Sequence, residues 1–94
     1  MLIEKINNKN RKAINDFIMK HWYTTKMIIR GNEIDMTTVE GVVAFEEDEI
    51  IGLVTYMLCD DTMEITSLDS MCENQGLGTT LLNHAVSIAK KNRL

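Results

Sequence analysis

Gly76 and Gly78 flank Leu77 and are followed by Thr79 and Thr80, and this short stretch is the part of the chain best suited to gripping a phosphate group. A helix opening there leaves its first backbone N–H groups without intrahelical partners, at the positive end of the helix dipole. Glycine has no Cβ, so an anion can come close to the main chain, and the threonines add hydroxyl donors. The spacing does not fit the common nucleotide loops. A dinucleotide-binding turn needs a third glycine where Leu81 stands, and a Walker loop needs a Gly-Lys-Ser/Thr that the sequence lacks. The expected antiparallel strands before the turn also conflict with the βαβ setting of both motifs.

Other reactive side chains are isolated. Cys59 and Cys72 have no neighbouring His or second Cys at metal-ligand spacing, so free structural thiols are expected, with no disulfide framework and no metal site. His21 and His84 are single and read as packing or surface residues.

The elements that must position the glycine turn follow from periodicity. Met1 to Ile6 suits a short edge strand. Ile14, Phe17, Ile18 and Trp22 recur at three- and four-residue steps, marking an amphipathic helix over about 8–22 that Asn7 or Asn8 can cap. Tyr23 to Met36 shows no dominant period and reads as a bent arm with a short helix or an extended piece. Val39 to Phe45 and Ile50 to Leu58 form a hairpin around the acidic Glu46 to Glu49. In its second strand Ile51, Leu53 and Met57 are expected on one face and Ile50, Val54, Tyr56 and Leu58 on the other, so helices should cover both faces. After a turn at Asp60-Asp61-Thr62, Met63 to Met71 makes a third strand, and Leu77, Leu81, Leu82, Ala85, Val86, Ile88 and Ala89 form the apolar face of a last helix.

Met63-Glu64-Ile65-Thr66-Ser67-Leu68-Asp69-Ser70, followed by Glu73-Asn74-Gln75-Gly76-Leu77-Gly78-Thr79-Thr80-Leu81-Leu82, resembles the fourth strand and motif A of the GNAT superfamily of N-acetyltransferases. That motif is Arg or Gln, two free positions, Gly, one free position, then Gly or Ala; Glu73 stands at its first position. The order of elements matches the superfamily throughout residues 1–94. The resemblance implies an α/β fold of the α+β type, an antiparallel meander flanked by helices in the order β-α-(α)-β-β-β-α. It implies one domain over 1–94 that stops after the acyl-CoA-binding helix, short of the family's fifth strand, fourth helix and last two strands.

By the same resemblance the cosubstrate is acetyl-CoA, with no metal, and the acceptor is an amine of a small molecule or a protein. Leu68, Asp69 and Ser70 would run beside the pantetheine arm, with backbone groups of Leu68 and Ser70 pairing to it. Glu73, Asn74, Gln75, Gly76, Leu77, Gly78 and Thr79 would line the diphosphate. Glu64, on the fourth strand between Met63 and Ile65, is the candidate base, its plain alternative being a solvated strand glutamate. The family's tyrosine acid lies beyond the matched segment, and neither Tyr23 nor Tyr56 corresponds to it. Three readings therefore compete: an acetyltransferase whose missing catalytic parts are dispensable or supplied by a partner copy, a binding domain without turnover, and a structural fragment.

Composition narrows the partners. The chain has 94 residues, 45% of them hydrophobic, no proline and a net charge of −4, which describes one compact domain and disfavours nucleic acid. No apolar run approaches the roughly 18 residues that a membrane span needs, and Met1 to Asn10 lacks a secretory h-region, so a cytoplasmic address is expected. A strand left with one neighbour should drive association, and a homo-oligomer is the expected assembly.

Overall fold

A computed structural model of the chain describes residues 1–24, 26–29, 31–59, 62–70 and 76–91. Strand β1 (Leu2–Lys5) leads into helix α1 (Arg11–Trp22), then β2 (Lys26–Ile29), β3 (Asn32–Asp35), β4 (Glu40–Glu46), β5 (Glu49–Cys59), β6 (Thr62–Ser70) and helix α2 (Leu77–Lys91). β1, β4, β5 and β6 form one antiparallel sheet in that order, and β2 pairs with β3 as a separate hairpin. The fold is thus α+β, with the meander and the two helices that the sequence leads one to expect.

The arm after α1 takes its extended alternative. β-branched residues in the Met27-Ile28-Ile29 run favour a strand over a helical turn, and Gly31 sits at φ 79°, where the chain reverses between β2 and β3. No second helix forms among the described residues there. The expected turn at Asp60-Asp61 and the thiol of Cys72 lie outside the described residues.

Neither Asn7 nor Asn8 is the N-cap of α1: the helix begins at Arg11, Asn10 is its N-cap, and Asn7 instead braces the turn that leads into it. The Asn7 Oδ1 accepts the N–H groups of Lys9 at 2.8 Å and Asn10 at 3.0 Å, while the Asn10 Oδ1 accepts the Asn7 N–H at 2.8 Å. These bonds satisfy backbone donors of the turn before the helix, as Asx turns do, rather than donors of the helix itself. The Asn10 amide also donates to the Lys5 carbonyl at 3.0 Å, tying the helix start to the end of β1.

The sheet has a core on each face. Toward α1 lie Ile14, Phe17, Ile18, Met36, Val39, Val43 and Leu53; toward α2 lie Val42, Ala44, Val54, Tyr56, Leu77, Leu81 and Ala85. Alternation along β4 and β5 sends neighbouring residues to opposite layers. The expected facing holds for Leu53 and Met57 against Val54 and Tyr56, and it is reversed for Ile50 and Ile51. Ala44 pairs with Gly52 but Phe45 pairs with Ile50, so Ile51 is an extra residue in a β-bulge. The bulge shifts the register by one residue, placing Ile50 with the α1 layer and Ile51 with the α2 layer.

A second bulge lies between β5 and β6, where Thr55 pairs with Ser67 and Tyr56 with Ile65, leaving Thr66 extra. The buried Thr55 hydroxyl is 2.6 Å from both the Thr66 and the Ser67 hydroxyls, a small polar knot that the doubled residue makes possible.

Candidate functional site

The start of α2 is built as a receptive turn. Gly76 sits at φ 72°, a backbone conformation that most side chains resist, and it delivers the chain into the helix. The first intrahelical bond runs from the Thr80 N–H to the Gly76 carbonyl at 2.9 Å, so the N–H groups before it have no partner within the helix. A Cβ on Gly76 would meet nothing within 4 Å, and one on Gly78 would meet only Leu68 Cδ2 at 4.0 Å.

The two threonines differ. Thr80 donates its hydroxyl back to the Gly76 carbonyl at 3.0 Å, bracing the turn rather than offering a donor outward, whereas Thr79 is exposed. Leu68, Asp69 and Ser70 end β6 beside this turn, with the Leu68 side chain against Gly78. Glu73, Asn74 and Gln75 lie outside the described residues.

What brings α2 onto the sheet is a residue not singled out in the sequence. Gly52 faces the helix at the point where β5 pairs with Ser70, and a Cβ there would stand 2.8 Å from Leu81 Cδ1 and 2.9 Å from Leu77 Cδ2. A glycine interrupting an apolar strand run was the available signal for such a close approach. The missing side chain sets the depth of α2 and hence the place of its N-terminus next to Ser70.

The remaining candidates sit on the opposite face. Glu64 is half-buried and pairs with Met57, and Asp69 pairs with Leu53, so both carboxylates belong to the α1 side of β6. Asp69 accepts the Trp22 indole N–H at 3.3 Å, a contact spanning most of the chain that links the end of α1 to the end of β6. Burial pushes the Asp69 carboxyl above its ordinary value, opposed by the Trp22 hydrogen bond and by the charge of His21. His21 itself stacks on Phe17 at 4.1 Å, and its Nδ1 lies 3.0 Å from the Phe17 carbonyl oxygen.

Tyr23 is 87% exposed at the left-handed C-cap of α1, at φ 60°. Tyr56 is buried between β5 and α2, and burial together with the Glu40 charge pushes its phenol up. No group of three or more His, Cys, Asp or Glu among the described residues is placed to hold a metal ion. No helix among them is long and apolar enough to cross a membrane.

The model of the acetyltransferase (GNAT) family matches residues 7–94 of the chain. Over 91 residues the chain is 40% identical to the uncharacterized protein YdhI of Bacillus subtilis (strain 168), covering 96% of this chain and 57% of that protein. It is 34% identical over 85 residues to the uncharacterized protein YxbD of the same organism, covering 89% of this chain and 54% of that one. The chain thus spans just over half the length of the curated relatives it matches. No solved structure matches it significantly.

Proposed function

This chain belongs to the acetyltransferase (GNAT) family, and from that premise we propose that it binds acetyl-CoA along β6 and the first turn of α2 and transfers the acetyl group to an amine. The observation that carries this reading is the turn at Gly76 and Gly78, which puts helix N–H groups with no partner within the helix beside the end of β6. The diphosphate is held by the main chain of Gly76 to Thr79, with Glu73, Asn74 and Gln75 completing its lining. Backbone groups of Leu68, Asp69 and Ser70 align the pantetheine arm.

Acetyl-CoA supplies the activated thioester when bound; the chain supplies position, a donor and a base. From Ser70 back to Glu64 the strand covers roughly 20 Å at the usual rise per residue, a span suited to an extended arm. Thr66 stands out of the β5 ladder at the bulge, and its N–H is the candidate donor to the developing oxyanion. Glu64 takes the proton from the attacking amine, so that the nitrogen presents a lone pair; as the C–N bond forms the C–S bond breaks, and CoA leaves as a thiolate that takes a proton from solvent. Residues 1–94 act as one such domain, in the cytoplasm and as a homo-oligomer, with no metal in the reaction.

The test is calorimetric. Gly78→Glu adds bulk and negative charge where nothing in the fold is crowded, so it should abolish CoA and acetyl-CoA binding while leaving the melting temperature near that of the wild type. Binding that persists unchanged in this variant removes the site from the start of α2.

A further inference from the structure

Burial singles out one polar side chain of the sheet that the proposed chemistry leaves unused. Thr55 is 0% exposed, and it and Asn10 are the buried polar residues among the described ones. Buried positions near it on β4 and β5 hold Val42, Val43, Leu53 and Val54, and a valine would fill the space of Thr55 without the cost of taking a hydroxyl out of water. The hydroxyl therefore serves something other than packing. Its Oγ1 lies 2.6 Å from the hydroxyls of both Thr66 and Ser67, the two residues of β6 that stand against Thr55 where the register shifts.

A bulge sets two residues against one, and the extra one leaves the ladder. Here a single side chain bonds both members of the doubled pair. Thr55 is sealed from water, and an unbonded buried proton is costly, so its hydroxyl donates to one neighbour and accepts from the other. The other bulge lacks such a clamp: its extra residue, Ile51, packs into the apolar layer under α2. Two groups in the proposed reaction depend on the clamped one. The Thr66 N–H is released from the ladder there, and Glu64 pairs with Met57 only because Thr66 is extra. With Ser67 still opposite Thr55 and no extra residue, Glu64 would pair with Leu58 and turn to the other face of the sheet.

We propose that Thr55 is a positioning residue for acetyl transfer: through its bonds to Thr66 and Ser67 it holds the β6 bulge, and through the bulge it aims the Thr66 N–H at the thioester carbonyl. This role rests on the function proposed above. It is separate from the grip on the diphosphate, because the glycine turn belongs to α2 and Ser70, beside that turn, pairs with Gly52 beyond the bulge. Removing the Thr55 hydroxyl therefore parts polarisation of the carbonyl from binding of the cosubstrate.

The probe is acetyl-CoA labelled with carbon-13 at the thioester carbonyl, bound without an acceptor, with the infrared carbonyl band reporting polarisation and calorimetry reporting affinity. In the wild type the band should fall in frequency on binding, as that of a hydrogen-bonded carbonyl does. Thr55→Val should return the band toward its free position and move the amide resonances of residues 64–67, with acetyl-CoA affinity unchanged. Thr55→Ser, which keeps the hydroxyl, should restore the wild-type band. Ser67→Ala removes one of the two bonds at a half-buried position and should shift the band in the direction of the valine variant. A wild-type band in Thr55→Val, or in Ser67→Ala should the valine variant not fold, overturns the proposal. A serine variant no better than the valine one does the same, as does a wild type that binds acetyl-CoA without any change of the band. Failure of the wild type to bind acetyl-CoA at all removes instead the function proposed above, and this role with it.

Discussion

Glu64 and Asp69 share one face of β6 although they differ by an odd number of positions, because the bulge at Thr66 absorbs one residue between them. Their surroundings then assign them different work. Asp69 is engaged by the Trp22 indole and desolvated, so its ionised form is penalised in the folded chain. The folded state therefore keeps a proton that the unfolded state has released once pH exceeds the ordinary carboxyl value of 3.8. Stability falls as pH rises through the window from that value to the raised one, and the deficit persists above it. Asp69→Asn still accepts the indole N–H and should be more stable than the wild type near neutral pH. That advantage should shrink as the solution is acidified through this window and be gone below the ordinary value; denaturant melts across this range that run parallel for the two proteins would rule the account out. For Glu64 the expected outcome is kinetic. Glu64→Gln should lower kcat by about a hundredfold or more and flatten the acid limb of the rate profile, with acetyl-CoA affinity retained. A variant with wild-type rate and profile shows that the proton leaves by another route.

At the scale of elements, β5 is the piece on which the others depend. It is paired on both sides, holds one bulged residue and faces the other, and contributes Leu53 to one core layer and Val54 and Tyr56 to the other. Its entry turn is strained, with Glu47 at φ 50° and Asp48 at φ 69°, left-handed positions where hairpins favour Asn-Gly. Gly52 is its contact with α2. Gly52→Ala would drive a methyl group into Leu77 and Leu81, and their side chains or the helix that carries them must shift to admit it. We expect a loss of about 1–3 kcal/mol by chemical denaturation, typical of overpacking, together with weakened CoA binding because the helix N-terminus moves away from Ser70. Full CoA affinity in a destabilised Gly52→Ala variant would separate the packing of α2 from the placement of the cradle.

At the scale of the whole molecule, the sheet presents two unlike edges. β1 is short, whereas β6 is long, pairs only with β5 among the described residues, and leaves Ile65 and Leu68 each 41% exposed. Met63 and Ile65 continue into a shallow apolar groove with Leu82, Ala85, Val86 and Ala89. An open strand edge beside an apolar groove favours association of copies. Light scattering over a concentration series should therefore give a mass above that of one chain, and Ile65→Lys should return it toward the monomer. A well-folded wild-type monomer at high concentration, with its β6 amides protected from hydrogen exchange, would show that this edge is closed without a second copy.

The sequence by itself determined the order of elements, the two-sided core and the family, because those depend on local signals. The 3.6-residue spacing of Ile14, Phe17 and Ile18, the β-branched runs of β4 and β5, and the glycine pair ahead of a helix are each contained within a few neighbouring residues. It left open the form of residues 23–36, because an apolar cluster without a period fits either backbone state. Tertiary structure alone decided the facing of Ile50 and Ile51, since a bulged residue breaks the alternation between the residues on its two sides and no residue type announces it. It alone decided that Trp22 meets Asp69 and that Gly52 seats α2. Those contacts join positions far apart in the chain, and only the packing of the sheet against its helices brings them within reach.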